Sequence, residues 1–130
     1  MNDSLPELRE ALLKLHKALV ESERVSYEQT LGKITSPNHF LQLLTNDPWF
    51  AWLHPLSQLI VAMDEALDAK EPLTPAMVEP LVRQARALLV ASETGEGFSR
   101  HYDDALQRDP DVIFAQAEVA KLLGMKKPEK

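Results

Sequence analysis

The stretch Asp47-Pro48-Trp49-Phe50-Ala51-Trp52-Leu53-His54-Pro55 opens a segment that keeps a helical pattern to Ala69. Aspartate before proline is a helix start, because the carboxylate caps an orphan amide and the fixed φ of proline suits the first helical position. Beyond it, Trp49, Trp52, Leu53, Leu56, Leu59, Ile60, Met63 and Leu67 recur at helical spacing and define a broad apolar face. Ala51, Pro55, Ala62, Ala66 and Ala69 form a second side of small residues, where another backbone can come close. The third seam is mixed, with Phe50, His54, Ser57, Val61, Asp64 and Asp68. Apolar material around most of the circumference predicts a central helix over residues 48–69. Pro55 cannot donate to the carbonyl of Ala51, which leaves an acceptor for water, His54 or a partner. Whether Pro55 kinks or breaks the helix stays open.

The neighbouring segments carry the same punctuation. Ser36-Pro37, Thr74-Pro75 and Asp109-Pro110 repeat the cap-then-proline device, and Ser4 with Glu7 brackets Pro6 as a capping box. Gly32, Gly95 and Gly124 stand where helices can stop in a left-handed cap. Helices are therefore expected at about 5–31, 37–45, 48–69, 75–91, 97–108 and 110–123, followed by a mobile tail over 124–130. In the first helix Leu5, Leu8, Leu12, Leu15 and Leu19 make one seam, widened by Leu13, Val20, Tyr27 and Leu31. The last is expected to bury Ile113, Phe114, Ala117, Ala120 and Leu123. Residues 97–123 read equally as one kinked helix or as two. No strand alternation or hairpin signal occurs. The fold class is all-α: one domain over 1–130, an antiparallel four-helix-bundle-like unit with one or two short extra helices and proline-broken helices.

Composition limits function. The 130 residues suffice for one core burying roughly two-thirds of the unfolded surface. Cysteine is absent, which removes disulfides, thiolate metal sites and a cysteine nucleophile. A net charge of −6 with scattered basic residues disfavours nucleic acid. Only Lys121, Lys126, Lys127 and Lys130 gather, as a short basic end after a helix. No apolar run is long enough to span a bilayer, and the polar start Met1-Asn2-Asp3-Ser4 is unlike a signal peptide. A cytoplasmic location without membrane association is expected.

Motifs for chemistry are missing. There is no His-Glu-x-x-His, no phosphate loop, no nucleophile elbow, and no Glu-x-x-His pair of the kind that builds di-iron bundles. No catalytic residue, metal ligand set or cofactor is assigned. His101 and Asp104 are three apart, but such a pair on a charged helix reads first as a solvated contact. His16 falls between the apolar seams of its helix, with Glu23 and Tyr27 along the same side, and these three are expected to form a buried polar cluster. The Ser92–Gly97 loop carries two glutamates that would repel an anion.

The aromatic segment is the main candidate surface. On an α-helical wheel Phe50 and His54 share a face away from Trp49, Trp52 and Leu53. Trp49, Phe50, Trp52, His54, Ser57 and Val61 are accordingly expected to contact a partner or ligand. The leading expectation is a non-enzymatic interaction or regulatory module working through protein contacts, as a homodimer across the Phe50–Val61 seam. The alternative is a sensing bundle that holds a small apolar ligand in an aromatic and histidine pocket. A third reading is a cofactor-free enzyme using histidine and carboxylates.

The motif Asp47-Pro48-Trp49-Phe50-Ala51-Trp52-Leu53 with Pro55-Leu56-Ser57, together with Asp109-Pro110-Asp111-Val112, resembles small, uncharacterised bacterial helical proteins. That resemblance implies a free-standing bacterial cytoplasmic domain. It implies no activity and no catalytic residues.

Overall fold

Proline and its capping residue set the boundaries of this fold. The computed structural model describes residues 5–124, and all regular structure among them is helical. The order is α1 (Leu5–Leu31), α2 (Pro37–Asn46), a 3-10 helix (Pro48–Leu53), α3 (His54–Asp68), α4 (Pro75–Leu88), α5 (Phe98–Arg108) and α6 (Pro110–Leu123). The all-α class expected from the sequence is the one observed. The capping box at Ser4 and the tail beyond Gly124 lie outside the described residues.

The four internal caps form at the expected positions. Ser36 Oγ accepts from the His39 amide at 3.1 Å, and Thr74 Oγ1 from that of Met77 at 3.3 Å. Asp47 accepts from the Trp49 amide at 2.8 Å and Asp109 from the Asp111 amide at 2.9 Å. Each aspartate also ends the preceding helix, its own amide donating to Leu43 or Ala105. One extended residue, Asp109 at φ −132° and ψ 113°, thus separates α5 from α6. Residues 97–123 are two helices, joined in the same way as α2 and the 3-10 segment.

The expected helix over 48–69 is not continuous. Without an amide hydrogen, Pro55 cannot close an α-helical bond to Ala51. The His54 amide takes that carbonyl instead, three residues back, so Pro48–Leu53 winds as a 3-10 helix. α3 then starts at His54, with Pro55 where an intrahelical donor is not required. The change of winding also moves side chains. On an α-helical wheel Phe50 and His54 stand about 40° apart; with three residues per turn up to Leu53 the separation grows to about 100°. Phe50 and His54 therefore do not share a face.

α1, not α3, is the central helix. It packs most extensively on α6, next on α3, and also touches the 3-10 helix and α5. Contacts from α3 to α4 and from α4 to α6 complete a circuit around the core. The leucine seam of α1 is buried throughout, each side chain contributing roughly 2 kcal/mol of apolar burial. Arg9 pairs with Asp64 and His16 with Ser57, so seven residues forward in α1 correspond to seven back in α3. The two helices run antiparallel.

Three further expectations are corrected. α4 stops at Leu88, not residue 91, and Leu89 leaves the helical region at ψ 55°. α6 buries Val112, Val119, Ala120 and Leu123, while Ile113, Phe114 and Ala117 face outward. Gly124 does supply a left-handed cap, at φ 69° with its amide reaching Ala120 and Lys121. Gly95 does not cap a helix; a Cβ there would lie 2.5 Å from Ser99 Oγ. Arg86 donates to the Leu123 carbonyl at 3.0 Å and ties α4 to the end of α6. Among the described residues no helix is long and apolar enough to cross a membrane.

Candidate functional site

The aromatic segment is consumed by two internal clusters. Phe50 is completely buried between Tyr27 and Phe40, at ring-centroid distances of 5.6 and 5.8 Å. Trp49 stands edge-on to Tyr27 at 5.6 Å. Trp52 belongs to the other cluster, edge-on to Phe98 at 5.2 Å and stacked on His101 at 5.3 Å. Phe98 continues to Tyr102 at 5.5 Å. Edge-to-face and tilted pairs of this kind add attraction beyond area burial, and they leave no aromatic wall facing an open pocket.

Some polarity is left over inside these clusters. Trp49 Nε1, Trp52 Nε1 and the Tyr102 hydroxyl are buried without a hydrogen-bond partner among the described residues. Burial pushes the Tyr102 phenol well above its ordinary range, so it stays neutral. A neutral, fully enclosed phenol is not placed for acid–base work on a substrate.

α1 covers part of the mixed seam of the 48–69 segment, at Phe50, Ser57 and Asp64, and leaves His54, Val61 and Asp68 exposed. Ser57 Oγ lies 2.7 Å from His16 Nε2, and it also donates to the Leu53 carbonyl at 3.5 Å. Asp64 pairs with Arg9. Burial holds His16 below the usual histidine pKa, so the neutral ring is favoured. A serine beside a histidine invites comparison with a nucleophile and its base. That chemistry needs a third group to orient the ring; no such bond to His16 Nδ1 occurs among the described residues. The pair is a strut between helices.

His54 lies on the surface and serves its neighbour. Its Nε2 donates to the Leu44 carbonyl at 3.1 Å, one of the orphan acceptors at the end of α2. Val61 remains 53% exposed, the one apolar side chain of the seam left uncovered.

His16, Glu23 and Tyr27 are not brought together. His16 goes to Ser57, Tyr27 joins Trp49 and Phe50, and buried Glu23 accepts from Arg108 Nη2 at 2.7 Å. Arg108 also donates to Ser22 Oγ, at 3.1 Å from Nε and 2.9 Å from Nη2. The clamp fixes the end of α5 against the middle of α1. His101 lies flat on Trp52 while Asp104 pairs with Arg100 at 3.3 Å, so the two do not converge on an ion.

What the helices leave open lies elsewhere. Phe114 is 72% exposed, the highest value among the large apolar side chains that face solvent, and Ile113 beside it is 46% exposed. Phe114, Ala115, Glu118 and Leu122 of α6 form one wall of a surface groove; Glu7, Glu10, Ala11 and Lys14 of α1 form the other. Smaller grooves lie between α3 and α4, beside Pro55 and Leu59, and along α4 at Arg83. None of these three is lined by Trp49, Phe50, Trp52 or His16.

The sequence did carry a signal for the α6 wall. Val112, Ile113 and Phe114 are consecutive large apolar residues, and a helix packed on one side cannot bury all three. The clamp at Arg108 had no local signal, since Glu23 is 85 residues away. Comparison with protein-family models, with curated proteins and with solved structures finds no match to this chain.

Proposed function

We propose that this chain is a non-enzymatic helical module that works in the cytoplasm through protein contacts, and that its contact surface is the α1–α6 face around Phe114. The observation that carries this reading is an inversion of exposure. Phe50 and Trp52, from the segment richest in aromatics, are buried against their own chain, whereas Phe114 projects into solvent. A large exposed aromatic beside a groove is the kind of anchor that protein interfaces use.

The expected homodimer across the Phe50–Val61 seam loses the part of its motivation that rested on Phe50, because Tyr27 and Phe40 enclose that ring and Ser57 turns to His16. A pocket for a small apolar ligand loses support for the same reason. The test is site-specific photo-crosslinking in the source cells, with a photoreactive phenylalanine analogue in place of Phe114 and, as control, in place of exposed Arg83. A discrete protein adduct from position 114, absent from position 83, is expected. Equal labelling from both, or none from either, would count against the reading.

A further inference from the structure

The α1–α6 groove combines an apolar strip with acidic edges. Phe114, Ala115 and Leu122 supply the strip from α6, and Ala11 adds to it from α1. Glu7 and Glu10 stand on one edge and Glu118 on the other, with Lys14 the single basic residue lining the groove. Glu7 and Glu118 make no ion pair among the described residues, and Glu10 has only a 3.8 Å contact with Arg9, which is held by Asp64. The groove therefore offers carboxylates that the fold has not used. About 540 Å³ of open space lies between the walls, enough for a few side chains rather than a whole domain.

We infer that this groove docks a basic amphipathic helix of a partner protein. The inference rests on the reading of this face as the contact surface and adds the chemistry of what binds there. In helix-in-groove recognition, apolar residues at one-turn spacing enter the strip and polar ones meet the rim. Leucine-sized anchors would sit against Phe114, Ala115 and Leu122, while Lys or Arg on the flanks would reach Glu7, Glu10 and Glu118. A second copy of this chain is a poorer occupant. Two such faces brought together across a two-fold axis would confront six carboxylates with two ammonium groups, and like charges at an interface are costly.

The experiment titrates the full chain with two labelled helical peptides that share a Leu/Ala face, one with lysine and one with glutamate on its polar face. Fluorescence anisotropy reads binding at low and high salt. The lysine peptide is expected to bind, and more weakly as salt screens the rim. Phe114→Ala and Glu118→Lys, both at exposed positions, should each weaken it about tenfold; the glutamate peptide should not bind. No binding of the lysine peptide, equal binding of both peptides, or affinity unchanged by both variants would overturn the proposal. So would self-association of the full chain that Phe114→Ala abolishes, which would make a second copy the occupant. Binding seen only after Lys126, Lys127 and Lys130 are replaced by glutamine would assign the groove to the chain's own terminus, and would equally overturn it. A specific crosslink from position 114 without peptide binding would leave the contact surface standing and remove only the basic helix.

Discussion

Replacing Phe50 by alanine separates the observed packing from the α-helical wheel. On the wheel this residue lies on a mixed seam with His54, and truncation there would cost little. In the structure Phe50 is 0% exposed and its ring is held by Tyr27 and Phe40. Emptying a buried phenylalanine site costs about 3–5 kcal/mol, a sum of lost transfer energy and a residual cavity. Two aromatic pairs are lost as well, each worth about 0.5–1.5 kcal/mol beyond area, so the upper half of that range is expected. Domains of this size are stable by roughly 5–15 kcal/mol, which makes the loss a large share of the whole. The melting midpoint should fall by roughly 16–20 °C, taking about 4 °C per kcal/mol. Urea unfolding followed by circular dichroism gives the value, with Phe114→Ala as reference, expected within about 0.5 kcal/mol of wild type. A Phe50→Ala cost under about 1 kcal/mol, or a larger cost for Phe114→Ala, would refute the assignment of inside and outside.

The clamp at α5 predicts an asymmetry: Arg108→Ala strands the Glu23 carboxylate in a buried site and should cost about 3 kcal/mol, whereas Glu23→Gln leaves an arginine that can turn to water and should cost about 1 kcal/mol. Equal costs in urea unfolding would contradict the burial of Glu23. His16 predicts a pH dependence. Its native pKa is lowered by burial, so the unfolded chain binds the proton more readily. Stability from this site is present above the unfolded value of about 6.5 and is lost as pH falls from there through the native pKa. His16→Gln, which keeps a donor near Ser57 but does not titrate, should flatten the urea-midpoint profile in that window; an unchanged profile would show that His16 is not the group responsible.

Features set within a few residues were legible in the sequence, and those set across the chain were not. The capping side chains of Ser36, Asp47, Thr74 and Asp109 accept from amides only two or three residues ahead, so the starts of α2, the 3-10 helix, α4 and α6 could be placed. The 3-10 winding of Pro48–Leu53 was missed because a wheel assumes 3.6 residues per turn throughout, and one missing amide at Pro55 shifted every earlier side chain. The buried face of α6 was misphased because Val112, Ile113 and Phe114 give a continuous run without a period. The half-buried position of His16 between two apolar seams was readable, but not that Ser57, 41 residues on, would receive it. Nor could any local pattern show that α1 reaches Ser57 and Asp64 of the mixed seam, since that follows from how α1 and α3 align.

The account depends most on which aromatic side chains face outward. Hydroxyl-radical footprinting of the free protein, with each oxidation rate normalised to that in the urea-unfolded chain, measures this residue by residue. Phe114 should be oxidised at close to its unfolded rate, while Phe50 and Trp52 should be strongly protected. Protection of Phe114 together with rapid oxidation of Phe50 and Trp52 would contradict the packing and with it the proposed contact surface.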